Sequence, residues 1–151
     1  MSTTSLPYPP LSPALAVKNA AKAIEFYKEV FGAEERFRLV DPTSGLIGHA
    51  ELSFQGYLMM LSDEYPAFNK SPETLGGTPV KLALMVDDVD QVVEQARLAG
   101  ATIQREPSNE FYGHRSAALR DPFGHEWSLQ TVIEQVTPEE MQRRWNAMIS
   151  G

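Results

Sequence analysis

Three histidines and no cysteine bound the side-chain chemistry open to this chain of 151 residues. Without a thiol there is no disulfide, thiolate nucleophile or thiolate metal site, so any metal must be held by nitrogen and oxygen. His49 and Glu51 stand two apart in a β-like run, which turns both side chains to one sheet face. Gly113-His114 echoes Gly48-His49 in a second such run. Two histidines and a carboxylate suit a divalent metal, so His49, Glu51 and His114 form one candidate site. The competing reading leaves both histidines solvated at the starts of their strands and gives Glu51 a neutral or basic partner. His125 closes the turn Asp121 to Gly124 and is read as a turn residue. There is no glycine-rich phosphate loop, serine nucleophile elbow or convincingly spaced pair of catalytic carboxylates, so nucleotide hydrolysis is not expected.

These residues are positioned by a repeat. Leu15-Ala16-Val17 runs into Asn19, a candidate N-cap, and then Ala20, Ala23, Ile24, Tyr27 and Phe31 at helical spacing, ended by Gly32. Leu84-Met85-Val86 runs into Asp88 and then Val89, Val92, Val93, Ala96 and Ala99, ended by Gly100. Leu84 follows Leu15 by 69 residues, and Gly100 follows Gly32 by 68. Downstream, Gly56 to Leu61 matches Gly124 to Leu129 at the same offset of 68, with hairpin turns at Gln55-Gly56 and Asp121-Pro122-Phe123-Gly124. Each half therefore reads βαβββ, with module one over 11–62, a proline- and glycine-bearing connection over 63–79 and module two over 80–132. Thr137-Pro138-Glu139-Glu140 starts a C-terminal helix over 137–149, whose Met141, Trp145 and Met148 stripe is expected to pack on the core or on a second subunit. The fold class is α+β: two modules whose curved mixed sheets pair around a cavity.

The chain is long enough for an ordinary core, is 42% hydrophobic, and has no apolar run of membrane-spanning length. Its formal charge of −7 opposes a nucleic-acid partner and suits a cationic or neutral small molecule. Residues 1–10 lack the basic start and apolar stretch of a secretory signal, so a cytoplasmic location is expected.

The two modules, together with Ala21 to Tyr27, Phe31-Gly32-Ala33, Leu119 to His125 and Trp127-Ser128, resemble the vicinal-oxygen-chelate superfamily of glyoxalases, bleomycin-resistance proteins and extradiol dioxygenases. The PhnB-like branch is the nearest likeness. The resemblance implies a single glyoxalase-like domain over 11–132, a homodimer, and one metal ligand on the first and last strand of each module. The matching positions are Ser12, Met60, Lys81 and Ser128, and their spacing reproduces the offsets of the repeat. An ammonium has no lone pair, a thioether is soft and a hydroxyl is a weak ligand, so this quartet does not suit Zn²⁺, Ni²⁺ or Fe²⁺.

Two functions follow as expectations. The first is metal-free binding of a small organic molecule in the inter-sheet cavity, with no cofactor, contacted by Ser12, Met60, Lys81, Glu126 and Ser128. Phe111 and Tyr112 either stack on that molecule or pack on the protein. The second is a lyase, isomerase or dioxygenase-type enzyme. It would use a divalent metal displaced to His49, Glu51 and His114, or Lys81 as general acid, base or Schiff-base nucleophile.

Overall fold

The computed structural model describes residues 8–151, so the reading of a leader falls largely outside the described residues. The elements run β1 (Ala14–Val17), α1 (Ala20–Phe31), β2 (Glu34–Val40), β3 (Ile47–Phe54), β4 (Tyr57–Asp63), α2 (Pro72–Leu75), β5 (Lys81–Met85), α3 (Val89–Leu98), β6 (Thr102–Asn109), β7 (His114–Arg120), β8 (Glu126–Val132) and α4 (Pro138–Ser150). The chain divides into two compact units between Gly77 and Thr78. Each unit holds one four-stranded mixed sheet, ordered β1-β4-β3-β2 in the first and β5-β8-β7-β6 in the second. The expected α+β class and the βαβββ repeat are therefore both present. No described helix is long and apolar enough to cross a membrane.

In the first unit α1 joins one edge strand to the other and so must cross a sheet face. Asn19 Oδ1 accepts from Lys22 N at its start, and Gly32, at φ 73°, ends it in the left-handed region that glycine tolerates. Ala20, Ala23, Ile24 and Tyr27 are fully buried. Tyr27 meets Phe54 of β3 at 6.3 Å between ring centroids, which fixes Ala50, Leu52 and Phe54 as the helix-facing side and His49, Glu51 and Ser53 as the opposite side. Buried Asp63 accepts from Ala20 N at 2.8 Å and Ile47 N at 2.7 Å, tying the helix start to β3.

The second unit repeats this plan. Asp88 caps α3, and the helix closes at Ala99 with Gly100 following it at φ 102°, as expected of a terminating glycine. Leu119 pairs with Trp127 and Ala117 with Leu129, all four buried, so Ser116, Ala118, Glu126, Ser128 and Gln130 lie on the helix-free side. Trp127 Nε1 donates to Asp121 Oδ2 at 2.9 Å, and Asp121 Oδ1 accepts from Phe123 N and His125 N. That turn thus does more than reverse the chain: it satisfies the indole buried beside it.

Two expectations change. The connection over 63–79 is not wholly irregular, because it contains α2, capped by Ser71. Glu64 accepts from Ser71 N and from Thr74 Oγ1, and these backbone and side-chain donors hold its carboxyl down to about 2. The stripe on α4 does not pack into the core: no α4 residue is buried, and Trp145 and Met148 are 45% and 58% exposed. Polar geometry tethers the helix instead. Arg144 donates to Phe111 O and pairs with Glu134, while Trp145 meets the Phe111 ring at 5.6 Å.

Gly113 marks where the chain after β8 crosses the start of β7. Its carbonyl accepts from Ile133 N and Glu134 N, its φ is 92°, and a Cβ there would lie 2.3 Å from Glu134 O. Gly113→Ala should therefore cost about 3 kcal/mol through backbone strain and displacement of that crossing, read as a lower urea midpoint at unchanged slope.

Candidate functional site

One helix covers one face of each sheet, so the polar side chains that the fold does not consume collect on the other face. On the first sheet Glu51 is the centre of that face. It is only 2% exposed and stands in register opposite Met60 of β4, which in turn pairs with Ala14 of β1. Burying a carboxylate costs several kcal/mol unless its oxygens are satisfied. Here three stretches of chain supply partners: Tyr8 Oη donates to Glu51 Oε2 at 2.9 Å, His49 Nε2 shares Oε2 at 2.9 Å, and an Arg36 guanidinium nitrogen lies 3.5 Å from Oε1. Burial pushes the Glu51 carboxyl up, but the hydrogen bonds from His49 and Tyr8 and the charge of Arg36 together outweigh it and hold it below the usual range.

Arg36 reaches Glu51 because β2 bulges. Glu35 opposes Leu52 and Phe37 opposes Glu51, leaving Arg36 as the extra residue. In such a bulge two side chains stand against one partner. The guanidinium thus comes over the carboxylate, while the Phe37 ring comes within 5.9 Å of the His49 ring. The Arg36 guanidinium also lies 5.6 Å from the Tyr8 ring centroid. Among the described residues, Arg36 Nε and the Ser12 hydroxyl are buried without a hydrogen-bond partner.

On the second sheet the helix-free face is a ladder of mostly uncharged polar groups. His114 Nδ1 meets Gln130 Oε1, Gln130 Nε2 donates to Ser128 Oγ at 3.0 Å, and Tyr112 Oη and Arg105 both reach the buried Ser116 hydroxyl. The bulge recurs, with Ile103 opposite Leu119 and Arg105 opposite Ala118. Lys81 is exposed at the start of β5 with Glu126 as its register partner, and no ion pair joins the two. Ala83 pairs with Ser128 as Ala14 pairs with Met60, so the offsets of 69 and 68 found in the sequence hold in the register.

The expected equivalence of His49 and His114 does not hold. Glu51 opposes Met60 and Ala118 opposes Ser128, so the counterparts of Glu51 and His49 are Ala118 and Ser116, and His114 lies one pleat further out. His49 and Glu51 do share a face, but Arg36 places a permanent cation where a divalent metal would bind Glu51. Among the described residues no three His, Asp or Glu side chains gather as a metal site would require. The quartet Ser12, Met60, Lys81 and Ser128 fails on donor chemistry, so neither set fits the metal. Phe111 packs on Trp145 and edge-on to Tyr112, while Tyr112 turns to His114 at 5.2 Å on the second face.

Sequence reasoning missed Arg36 and Tyr8. A bulge leaves no signature in the alternation of β2, and Tyr8 lies 43 residues from Glu51 in a proline-rich stretch with no periodic signal.

Residues 11–129 match the family model described as Glyoxalase/Bleomycin resistance protein/Dioxygenase superfamily. The uncharacterized protein Mb0911c of Mycobacterium bovis is 40% identical over 147 residues, covering 95% of this chain and 96% of the relative. The crystal structure of TioX from Micromonospora sp. ML1 is similar at 27% identity and TM-score 0.62, over 82% of this chain and 98% of that one. The fosfomycin resistance protein FosX from Listeria monocytogenes shares the fold at 20% identity and TM-score 0.65, over 93% and 99% of the two chains.

Glu51 supplies stability that is complete above the ordinary glutamate pKa of about 4.3 and is lost as pH falls through its depressed folded value. The stability difference between wild type and Glu51→Gln should therefore be widest near neutral pH and shrink below about pH 4, as measured by urea unfolding across that range. A pH-independent difference would contradict this account of the cluster.

Proposed function

Because the chain belongs to the glyoxalase/bleomycin resistance protein/dioxygenase superfamily, we propose that it binds a small organic molecule on the helix-free faces of its sheets without the metal that the family's enzymes use. The observation that carries this reading is the strand register. Met60 stands beside Ala14 and Ser128 beside Ala83, with Ser12 and Lys81 two residues earlier, so the four positions expected to ligate a metal hold a hydroxyl, a thioether, an ammonium and a second hydroxyl. Such groups contact an organic ligand readily. On the first sheet Ser12 offers a hydrogen bond and Met60 an adaptable apolar wall; on the second Lys81 offers a cation for an acidic head group, Ser128 and Glu126 offer hydrogen bonds and Tyr112 an aromatic surface. The stretch Leu119 to His125 favours the PhnB-like branch, and a homodimer is the expected assembly.

A second reading, an enzyme of lyase, isomerase or dioxygenase type, draws on the His49–Glu51 hydrogen bond, since a carboxylate that orients an imidazole prepares it as a general base. Its Lys81 version predicts trapping of a carbonyl ligand by borohydride.

Purified protein should contain no stoichiometric transition metal, and Ni²⁺, Zn²⁺, Mn²⁺ or Fe²⁺ should leave its melting temperature unchanged, because a ligand bound only by the folded state would raise it. One tightly bound metal per chain in elemental analysis would sink the reading. Lys81→Ala should weaken binding of whatever acidic small molecule mass spectrometry finds in the denatured protein by about tenfold, equivalent to about 1.4 kcal/mol.

A further inference from the structure

We propose that the Glu51 cluster is a recognition site for a phenol-class aromatic molecule, and that Tyr8 sits in it as a built-in stand-in which that molecule displaces. The inference rests on the reading of the helix-free face as a ligand surface and names what the first sheet takes.

Four observations converge on it. Glu51 is 2% exposed, yet its phenolic partner Tyr8 is 57% exposed, so the carboxylate is closed off in part by a side chain that solvent reaches. Tyr8 makes two kinds of contact at once: its hydroxyl donates to both carboxylate oxygens, at 2.9 and 3.2 Å, and its ring lies over the Arg36 guanidinium. An aromatic ring carrying a hydroxyl reproduces both, whereas an aliphatic alcohol reproduces only the first and an unsubstituted arene only the second. The described residues that follow Tyr8 add little to hold it. Pro9, Pro10 and Leu11 are exposed, Leu11 at 89%, so displacing the ring sacrifices little buried surface. Finally, Arg36 Nε is buried without an acceptor among the described residues, so even with Tyr8 in place the site keeps an unused donor. A ligand oxygen next to the phenol hydroxyl would supply what Tyr8, with a single hydroxyl, lacks.

The fold itself does not require this cluster. The register counterpart of Glu51 in the second sheet is Ala118, buried at 7% exposure without any charge. Tyr8 therefore acts as a competitor for a ligand: the apparent affinity for a phenol is reduced by the fraction of molecules in which Tyr8 occupies Glu51.

The test uses the full chain and two probes, p-cresol, which is the tyrosine side chain, and 4-methylanisole, which has the same ring but no hydroxyl donor. Binding is followed by backbone amide shifts of β3 and by calorimetry. Tyr8→Ala should bind p-cresol at least tenfold tighter than wild type and 4-methylanisole at least tenfold more weakly than p-cresol. Glu51→Gln in the Tyr8→Ala background should erase most of that discrimination. Tyr8→Phe, which keeps the ring but loses the anchoring hydroxyl, should also bind p-cresol more tightly than wild type, and it carries the test if Tyr8→Ala fails to fold. Equal p-cresol affinity in wild type and both Tyr8 variants, no binding to any of them, or no discrimination between the probes overturns the proposal. None of these results touches metal content or the Lys81 response, so failure here is distinguishable from failure of the metal-free reading.

Discussion

A single helix can cover only one face of a four-stranded sheet, and everything of functional interest in this protein follows from that constraint. Because α1 and α3 each join the two edges of their sheet, the covered face is filled by alternating apolar side chains: Ala50, Leu52 and Phe54 in one unit, Ala117, Leu119, Trp127 and Leu129 in the other. The pleat then delivers every intervening residue to the uncovered face whether or not it is apolar. What those residues are is not fixed by the need to fold, and here the two modules part company. The first places a carboxylate, a guanidinium, an imidazole and a phenol together. The second places the Tyr112, Ser116 and Ser128 hydroxyls with the Gln130 amide, the His114 imidazole and the Arg105 guanidinium, with a lysine at its border and an alanine where the first has its carboxylate.

The shared bulge turns that divergence into geometry. In both sheets the pairing of the second strand slips by one residue, at Arg36 in β2 and at Gln104 in β6, and these positions are 68 apart, the offset of the repeat itself. A bulge doubles the side chains facing one partner and increases the local twist. In the first sheet it aims a guanidinium at Glu51; in the second it aims Arg105 at Ser116. One backbone device thus serves a cluster built on a buried carboxylate and one built on hydroxyls, while the strand pairing beyond it differs between the modules, with Leu39 opposite His49 in one and Ser108 opposite Ser116 in the other.

The fold was legible in the sequence because it is encoded by short-range signals that occur twice. Asn19 and Asp88 cap their helices as their types predict, Gln55-Gly56 makes a two-residue turn with both φ values positive, and the paired offsets place Met60 and Ser128 correctly without any structural information. The site was less legible because it depends on contacts that periodicity does not record. Glycine-histidine pairs made His49 and His114 look equivalent, but equivalence is decided by strand pairing, and the hairpin of the second module is longer, so the register moved His114 outward. Arg36 was hidden by a bulge and Tyr8 by sequence distance. The α4 stripe does not meet its own chain's core for a different reason: helical spacing says which residues share a face, not what covers it, and Arg144 with Glu134 holds the helix without burying it.

The energetics of Glu51 separate folding from function most clearly. Taking a carboxylate and a guanidinium out of water costs several kcal/mol per ion, and a buried pair is commonly no more stabilising than apolar side chains of similar volume. The protein contains that alternative at the corresponding place, since Ala118 occupies the position with no charge to satisfy. A module that folds with alanine there does not depend on a glutamate for its fold, yet the first module surrounds that glutamate with three donors from three stretches of chain and leaves a fourth donor, Arg36 Nε, without an acceptor among the described residues. Such an arrangement is costly as a core and serviceable as a receptor: its charges are positioned before any ligand arrives, so little of the binding energy is spent on ordering them.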